Sequence, residues 1–427
     1  MQRPIFLFLA ATLLLAASIP VPAQKFLPKT IQFTGDPEYS NQELMAAADL
    51  KKGVVLNVDE MKSHSKILMD TGVFDTLSYT FNGQDLVYKL VPSPTLFPIR
   101  LENLPLAPGK ELDAKLHDRF PLYHGKVSSA GTLLESVRGA LQEMLATQGI
   151  KVTVTATPFG TPGTKNVTAM KFTIESPPVL VGTIQLDGVS QEMQSRVRSV
   201  VDRQKGEPFE TENTEKKLER ILYTLYVEEG YAAVKVHANR SDVPVVASDA
   251  IAVPFSVVVQ EGRLYKLGTI HLPPSSLVSQ EEIDKAISGY GNTAAKGQIL
   301  SYTLFQIVSR YKSKGYLDCA VKTQPEFDEV AGTVSYRVDI DPGPVYHLAF
   351  VKFENVSDDL RRLLMRSWQM LPGDPFDESY VSNFLVNAQK DDPALLRTLA
   401  TVKPIYEVRA DPQTHDVNVI IRLEKRP

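Results

Sequence analysis

Two stretches 86 residues apart, Gly182-Thr-Ile-Gln-Leu186 and Gly268-Thr-Ile-His-Leu272, are nearly identical and are typical of short apolar strands. The pattern recurs at Lys29–Phe33, Pro98–Leu101 and Ala349–Phe353. The central apolar residues lie 68 to 86 residues apart, at Ile31, Ile99, Ile184, Ile270 and Val351. Self-similarity at a domain-sized spacing is the signature of a repeat protein, so the sequence predicts five copies of one small unit.

A glycine marks the end of a helical run in four of the five repeats, at Gly72, Gly149, Gly230 and Gly315. Helices commonly end on a residue in the left-handed conformation, which glycine adopts without steric cost. We therefore interpret these glycines as helix ends rather than as ligand contacts.

Each repeat has two helical runs after its first strand, and two strand-like runs follow. In the third repeat the helices are predicted over 190–204 and 211–229, and the strands over 233–239 and 253–260. Helices in this order must cover one face of a small sheet to bury their apolar stripes. The predicted fold class is α+β, a tandem array of five small β-α-α-β-β domains forming an elongated rod.

Short joints rich in proline and glycine separate the repeats and suggest semi-rigid linkers. The predicted domains are residues 26–92, 95–177, 179–261, 263–342 and 344–427. The first and fifth are atypical, as end repeats often are. In the fifth, Lys390–Pro393 and the run 396–402 replace the glycine mark, and Asp377 is predicted to cap a helix that starts near Glu378.

Composition and the N-terminus limit the class of protein. Lys and Arg total 46 against 50 Asp and Glu, a formal charge of −4, so nucleic acid is not an expected partner. Residues 1–23 combine Arg3, the apolar run Ile5–Leu15 and the small-residue site Val21–Ala23, which predicts a secretory signal peptide. No later stretch reaches the roughly 20 apolar residues of a membrane helix, so no transmembrane segment is expected after signal cleavage.

The repeat resembles the POTRA domain of the Omp85 family, most nearly the five-domain periplasmic arm of the BamA type. The resemblance covers residues 26 to 427. It rests on the glycine-aromatic step after the second helix, and on the turn before that helix at Gly206–Phe209 and Gly373–Phe376. The chain ends at Pro427 without the alternating strands that a β-barrel needs, so we expect a POTRA-domain protein without the barrel.

The resemblance implies that the second strand of each repeat lies on an open sheet edge, where an extended client can add as a further strand. These strands are predicted at 77–81, 152–157, 234–238, 320–324 and 405–409, with Lys235, Lys322 and Arg409 as guards against aggregation. The candidate binding residues are Leu77, Tyr79, Val152, Val154, Val234, Val236, Ala320, Val321, Tyr406 and Val408.

The predicted function is a periplasmic protein-binding scaffold or chaperone-like module in outer-membrane protein assembly or transport. The predicted location is the periplasm, either free or associated with the outer membrane. The expected partners are unfolded outer-membrane proteins or envelope assembly proteins. In an alternative, the chain is the periplasmic arm for a separately encoded outer-membrane barrel, or for an envelope or division complex.

An envelope enzyme is the least favoured alternative, because the sequence contains no nucleophile elbow, zinc-protease helix, paired cysteine motif or phosphate loop. No cofactor and no metal are expected. His117 and His124 are the closest pair of histidines, but Pro121 interrupts their helical spacing, so they are interpreted as solvated loop residues rather than metal ligands.

Overall fold

The first two repeats contain the predicted elements together with three additional short strands. The first comprises β1 (Lys25–Phe26), β2 (Thr30–Thr34), α1 (Asn41–Ala47), β3 (Leu56–Asn57), α2 (Val58–Asp70), β4 (Phe74–Phe81) and β5 (Asp85–Pro92). The second comprises β6 (Leu96–Leu101), α3 (Lys110–Arg119), β7 (Lys126–Ser128), α4 (Thr132–Thr147), β8 (Val154–Gly160) and β9 (Val167–Ile174).

The remaining three repeats follow the same order. The third comprises β10 (Val179–Asp187), α5 (Gln191–Asp202), α6 (Thr214–Glu229), β11 (Lys235–Arg240), β12 (Val245–Val246) and β13 (Ile251–Gln260). The fourth comprises β14 (Lys266–His271), α7 (Gln280–Ile287), α8 (Gly297–Lys312), β15 (Ala320–Asp328) and β16 (Thr333–Asp341). The fifth comprises β17 (His347–Glu354), α9 (Asp358–Ser367), α10 (Tyr380–Asp391), β18 (Val402–Ala410) and β19 (Asp416–Lys425).

This computed structural model describes residues 25–36, 38–161, 166–241, 243–291, 293–391 and 402–425. The predicted signal peptide lies outside the described residues, as does most of the predicted run 396–402. The described chain divides into two compact units. One runs to Ile184 and includes Gln204–Glu215 and Arg240–Phe255; the other comprises Gln185–Arg203, Lys216–Asn239 and the residues from Ser256 onward. The division into five separate domains stays a prediction.

The sheets share one strand order. They run β2-β5-β4, β7-β6-β9-β8, β10-β13-β11, β14-β16-β15 and β17-β19-β18. In the first, second, fourth and fifth sheets the first strand of the repeat is parallel to the third, which is antiparallel to the second. A parallel pair needs a crossover connection, and the two helices of the repeat provide it. The predicted α+β fold class is confirmed.

The core of the fifth repeat shows how sheet and helices stabilise each other. Alternate residues of β19, among them Val419 and Ile421, are fully buried and pack with Leu364 of α9 and Phe384 of α10. Each buried aliphatic side chain contributes about 1.5–3 kcal/mol. Trp368 completes this cluster, and its indole donates a hydrogen bond of 2.7 Å to the Met370 carbonyl.

Local sequence signals set several helix boundaries. Helices α1, α2 and α7 start at capping boxes, in which a side chain and a glutamate three residues later each satisfy a free amide. At the fifth repeat the Asp377 carboxylate accepts the Ser379 amide at 2.9 Å, close to the predicted cap, and α10 begins at Tyr380. The short strands β1, β3, β7 and β12 were not predicted, because two or three residues are too few to show an alternating pattern of apolar and polar side chains.

Candidate protein-binding edges

In the second to fifth sheets, one side is covered by the turn that precedes the second helix. This turn pairs with the first strand of the sheet, as β7 with β6, and as the single bridges Leu180–Pro208, Lys266–Ala294 and His347–Pro375. In the first repeat the corresponding strand β3 pairs instead with β1, outside the β2-β5-β4 sheet. In the two Gly-x-Pro-Phe turns, the amides of Phe209 and Phe376 donate to the carbonyls of Val179 and Tyr346. The turn motif thus occupies backbone groups that a client would otherwise use.

The other side of each sheet ends with the second strand of the repeat, namely β4, β8, β11, β15 or β18. Eight candidate residues lie in these strands: Leu77, Tyr79, Val154, Val236, Ala320, Val321, Tyr406 and Val408. The structure therefore places these eight on sheet edges. That they bind a client stays a prediction.

Two candidate residues, Val152 and Val234, precede their strands, so their predicted strand assignment is wrong. The Val154 amide donates to the Gln142 side chain of α4 at 2.9 Å, and β8 begins only at that residue. The Val234 amide donates to the Tyr231 carbonyl at 3.1 Å, within the turn that follows α6, and its side chain is buried. Both residues lie in the connection between a helix and the next strand. The sequence did not show this, because apolar β-branched residues such as valine are typical of strands.

At these edges, backbone groups are more available to a partner strand than side chains are. Val154 is fully buried, whereas Tyr406 is 45% exposed and Val408 is 36% exposed. Successive side chains of a strand point to opposite faces, so only part of each edge presents side chains to solvent. Recognition at such an edge depends mainly on unpaired backbone groups.

The five edges differ in how they are guarded. Proline interrupts three of them, at Pro158 in β8, Pro325 in β15 and Pro404 in β18. Lys235 and Lys322 are exposed on β11 and β15, as predicted for guards. Strand β4, with the sequence FDTLSYTF, contains neither proline nor a basic residue. Because proline and lysine both discourage strand addition, β4 is the least protected edge.

The third predicted guard, Arg409, is engaged within its own strand. Its guanidinium donates to both carboxylate oxygens of Glu407, at 2.7 and 3.0 Å. This hydrogen bond lowers the pKa of Glu407 below its usual value. The charge of Arg409 is therefore offset locally, and the pair presents a neutral polar edge.

The structure also brings His117 and His124 together. The interpretation as loop residues is wrong for His117, whereas His124 lies in the loop after α3. His117 lies in α3, and the two rings are 5.1 Å apart in a T-shaped contact. Both face Glu43 of α1, a residue from the preceding repeat. A partner about 80 positions away in sequence leaves no local signal, which is why sequence reasoning missed the cluster.

Two known proteins are similar to the chain over most of the repeats. The outer membrane protein assembly factor BamA of Buchnera aphidicola subsp. Acyrthosiphon pisum is 20% identical over 370 residues, which are 84% of this chain and 58% of that protein. A putative outer membrane protein assembly factor of Treponema pallidum is 22% identical over 269 residues, 60% of this chain and 31% of that protein. The predicted resemblance to the BamA family is confirmed.

The chain thus spans 58% and 31% of the lengths of these two relatives. Among solved structures, POTRA domains 3–5 of Haemophilus influenzae BamA cover 58% of this chain and 96% of their own at 13% identity, with a TM-score of 0.38. No protein-family model matches. Among the described residues, no helix has both the length and the apolar character required to cross a membrane.

Proposed function

We propose that this chain is a periplasmic, non-enzymatic scaffold in outer-membrane protein assembly, which holds extended client segments by adding them as strands to its open sheet edges. Its two relatives are named as an outer membrane protein assembly factor and a putative one, which supports a role in that process. The repeated strand order supports the mode of binding, because every sheet ends with its second strand.

Strand β4 is the proposed principal client site. A client strand needs a row of backbone donors and acceptors with no proline and little repulsive charge. Among the five edges only β4 contains neither proline nor a basic residue, and from Thr76 to Phe81 it has no charged residue at all. From Thr76–Val91 to Phe81–Leu86 its inner side pairs with β5 in one continuous register, after a register shift between Phe74 and Thr76. The edge is therefore a fixed template.

The proposal is tested by photo-crosslinking from Tyr79 of the full chain in cells. We expect Tyr79 to capture unfolded outer-membrane proteins, and a probe at Val330, a fully exposed residue between β15 and β16, to capture few. The double substitution Ser78→Lys, Thr80→Lys at exposed positions of β4 should lower the crosslinking yield from Tyr79 severalfold. Lysine on an edge strand discourages strand addition, and β15 already carries one at Lys322.

Equal capture at Tyr79 and Val330 would count against edge binding. Unchanged capture by the doubly substituted Ser78→Lys, Thr80→Lys chain would also count against it, provided that circular dichroism shows a native fold.

The alternative is an arm that docks one stable partner, and an exposed aromatic group in the fourth repeat favours it. Tyr302 and Phe305 of α8 are each 63% exposed, and Tyr290 is 47% exposed. Large exposed apolar groups often mark protein interfaces. Co-purification of a barrel or division protein at a fixed ratio, lost on Phe305→Ser, would support docking over transient client binding.

A further inference from the structure

Three potential metal ligands converge where the first repeat meets the second. Glu43 lies on α1, His117 lies on α3, and His124 follows α3 in the chain. Glu43 Oε1 is 3.5 Å from His117 Nε2 and 3.2 Å from His124 Nε2. One ligand atom from each residue lies within 4.8 Å of the other two.

The hydrogen bond at the far side of His117 fixes which of its nitrogens faces Glu43 as a lone pair. His117 Nδ1 is 3.0 Å from the Tyr123 carbonyl oxygen, which can only accept, so Nδ1 carries the proton. In the neutral ring Nε2 is then an unprotonated acceptor. This nitrogen faces Glu43 Oε1, so in the neutral ring its lone pair and the carboxylate oxygen can both ligate one cation placed between them.

The neighbouring contacts hold the other two ligands in place. The second carboxylate oxygen of Glu43 accepts the Ser40 amide at 2.6 Å as part of the α1 capping box. The ring of Tyr39 lies 4.7 Å from that of His124. Metal-binding side chains in proteins are usually oriented by such outer contacts, above all a histidine that donates to a backbone carbonyl.

The donor set and its spacing fit a transition metal. Two imidazoles and one carboxylate are a known zinc ligand set, with metal–ligand distances of about 2.0–2.2 Å. Ligands at these distances in a tetrahedron lie about 3.3 Å apart, close to both measured separations. The side chains are 22–41% exposed, which leaves the fourth position open to water.

We propose that Glu43, His117 and His124 bind one divalent transition-metal ion, zinc by donor preference, and that this ion ties the first repeat to the second. The ion would connect α1 of the first repeat to the end of α3 of the second repeat, and both repeats lie in the same compact unit. The proposed role of the ion is structural: it would hold the first repeat against the second. The proposal is independent of client binding at β4.

The test is zinc titration of the full mature chain by calorimetry near pH 7, with His117→Asn, His124→Asn and Glu43→Gln beside the wild type. We expect one equivalent of zinc to bind, and each substitution to weaken binding at least about tenfold. Glutamine preserves the capping box, so Glu43→Gln separates lost ligation from lost folding. His237→Asn is the matched control, since His237 is exposed beside the single carboxylate of Glu219 and should bind as the wild type does.

A second measurement distinguishes a bridging ion from surface binding. Bound zinc should slow hydrogen exchange in α1 and α3 of the wild type and leave His124→Asn unaffected. Wild-type binding no tighter than that of His124→Asn, or zinc binding without protection of α1 and α3, would overturn the proposal.

Discussion

At the scale of single residues, the glycine that ends a helix also makes room for the next repeat. Gly72 has the left-handed φ expected at the end of α2, +76°. A β-carbon at this position would lie 2.3 Å from the Ala130 carbonyl oxygen of the second repeat. At Gly315 the equivalent distance to the Tyr346 carbonyl oxygen is 2.8 Å. The helix-end interpretation thus explains only part of the requirement for glycine.

Two substitutions separate these requirements. Gly53 has nearly the same φ as Gly72, +77°, but a β-carbon there would have no neighbour within 4 Å. Gly53→Ala should cost about 1–2 kcal/mol for the left-handed conformation alone. Gly72→Ala should cost a further 1–3 kcal/mol or so because the joint must open. Native-state hydrogen exchange of the β4 and β5 amides measures the difference, and equal losses would contradict a close-packed joint.

At the scale of elements, charged side chains connect the three strands of the fifth sheet. Arg422 of β19 donates to Glu354 of β17 at 2.8 Å and lies 3.5 Å from Glu407 of β18. Hydrogen bonds from Lys352 and Arg422 lower the pKa of Glu354 to about 2. The sheet therefore favours the ionised carboxylate.

This pKa predicts a pH dependence of folding. Because the folded-state pKa lies below the usual 4.5, the stabilisation is present above about pH 4.5 and is lost as the pH falls towards 2. Glu354→Gln should lower the melting temperature of this repeat by a few degrees at pH 7 and have little effect near pH 2. Trp368, the single tryptophan, lies in this core and reports its unfolding by fluorescence.

The control for this measurement is Glu424→Gln, an exposed carboxylate on the same strand as Arg422. It should melt as the wild type does at each pH. A Glu354→Gln chain that is destabilised equally at pH 7 and pH 2 would show that the loss comes from packing rather than from charge.

At the scale of the whole molecule, the repeated sheets bear on the proposed client binding. The same strand order recurs in five sheets, and in each the second strand ends one side; in the second to fifth sheets the turn before the second helix covers the other side. Main-chain pairing at one edge is weak and tolerant of sequence. Several edges on one chain would raise the avidity for a long unfolded client.

The elongated arrangement that the short joints suggest is a prediction about the molecule in solution. A compact globule of about 400 residues has a radius of gyration of about 22 Å. Small-angle scattering of the mature chain should give a clearly larger value if the repeats form a rod. A value near that of the globule would exclude the rod and leave the edge proposal intact.

The amino-acid sequence by itself determined the repeat, the order of its elements and the helix ends, because each depends on local periodicity or on one residue's conformational preference. The 3.6-residue stripes of the third repeat predicted its two helices to within about three residues. The edge position of the second strand came instead from the family resemblance. Strand starts were less predictable, as Val152 and Val234 show.

Only the tertiary structure decided which distant residues meet. Glu43 reaches His117 and His124 because α1 of one repeat faces α3 of the next, and the repeat pattern says nothing about that contact. The same holds for Gly72 against Ala130, and for the turns that close one side of the second to fifth sheets. Such contacts depend on how the units pack, and packing is a property of surfaces assembled from residues that are far apart along the chain.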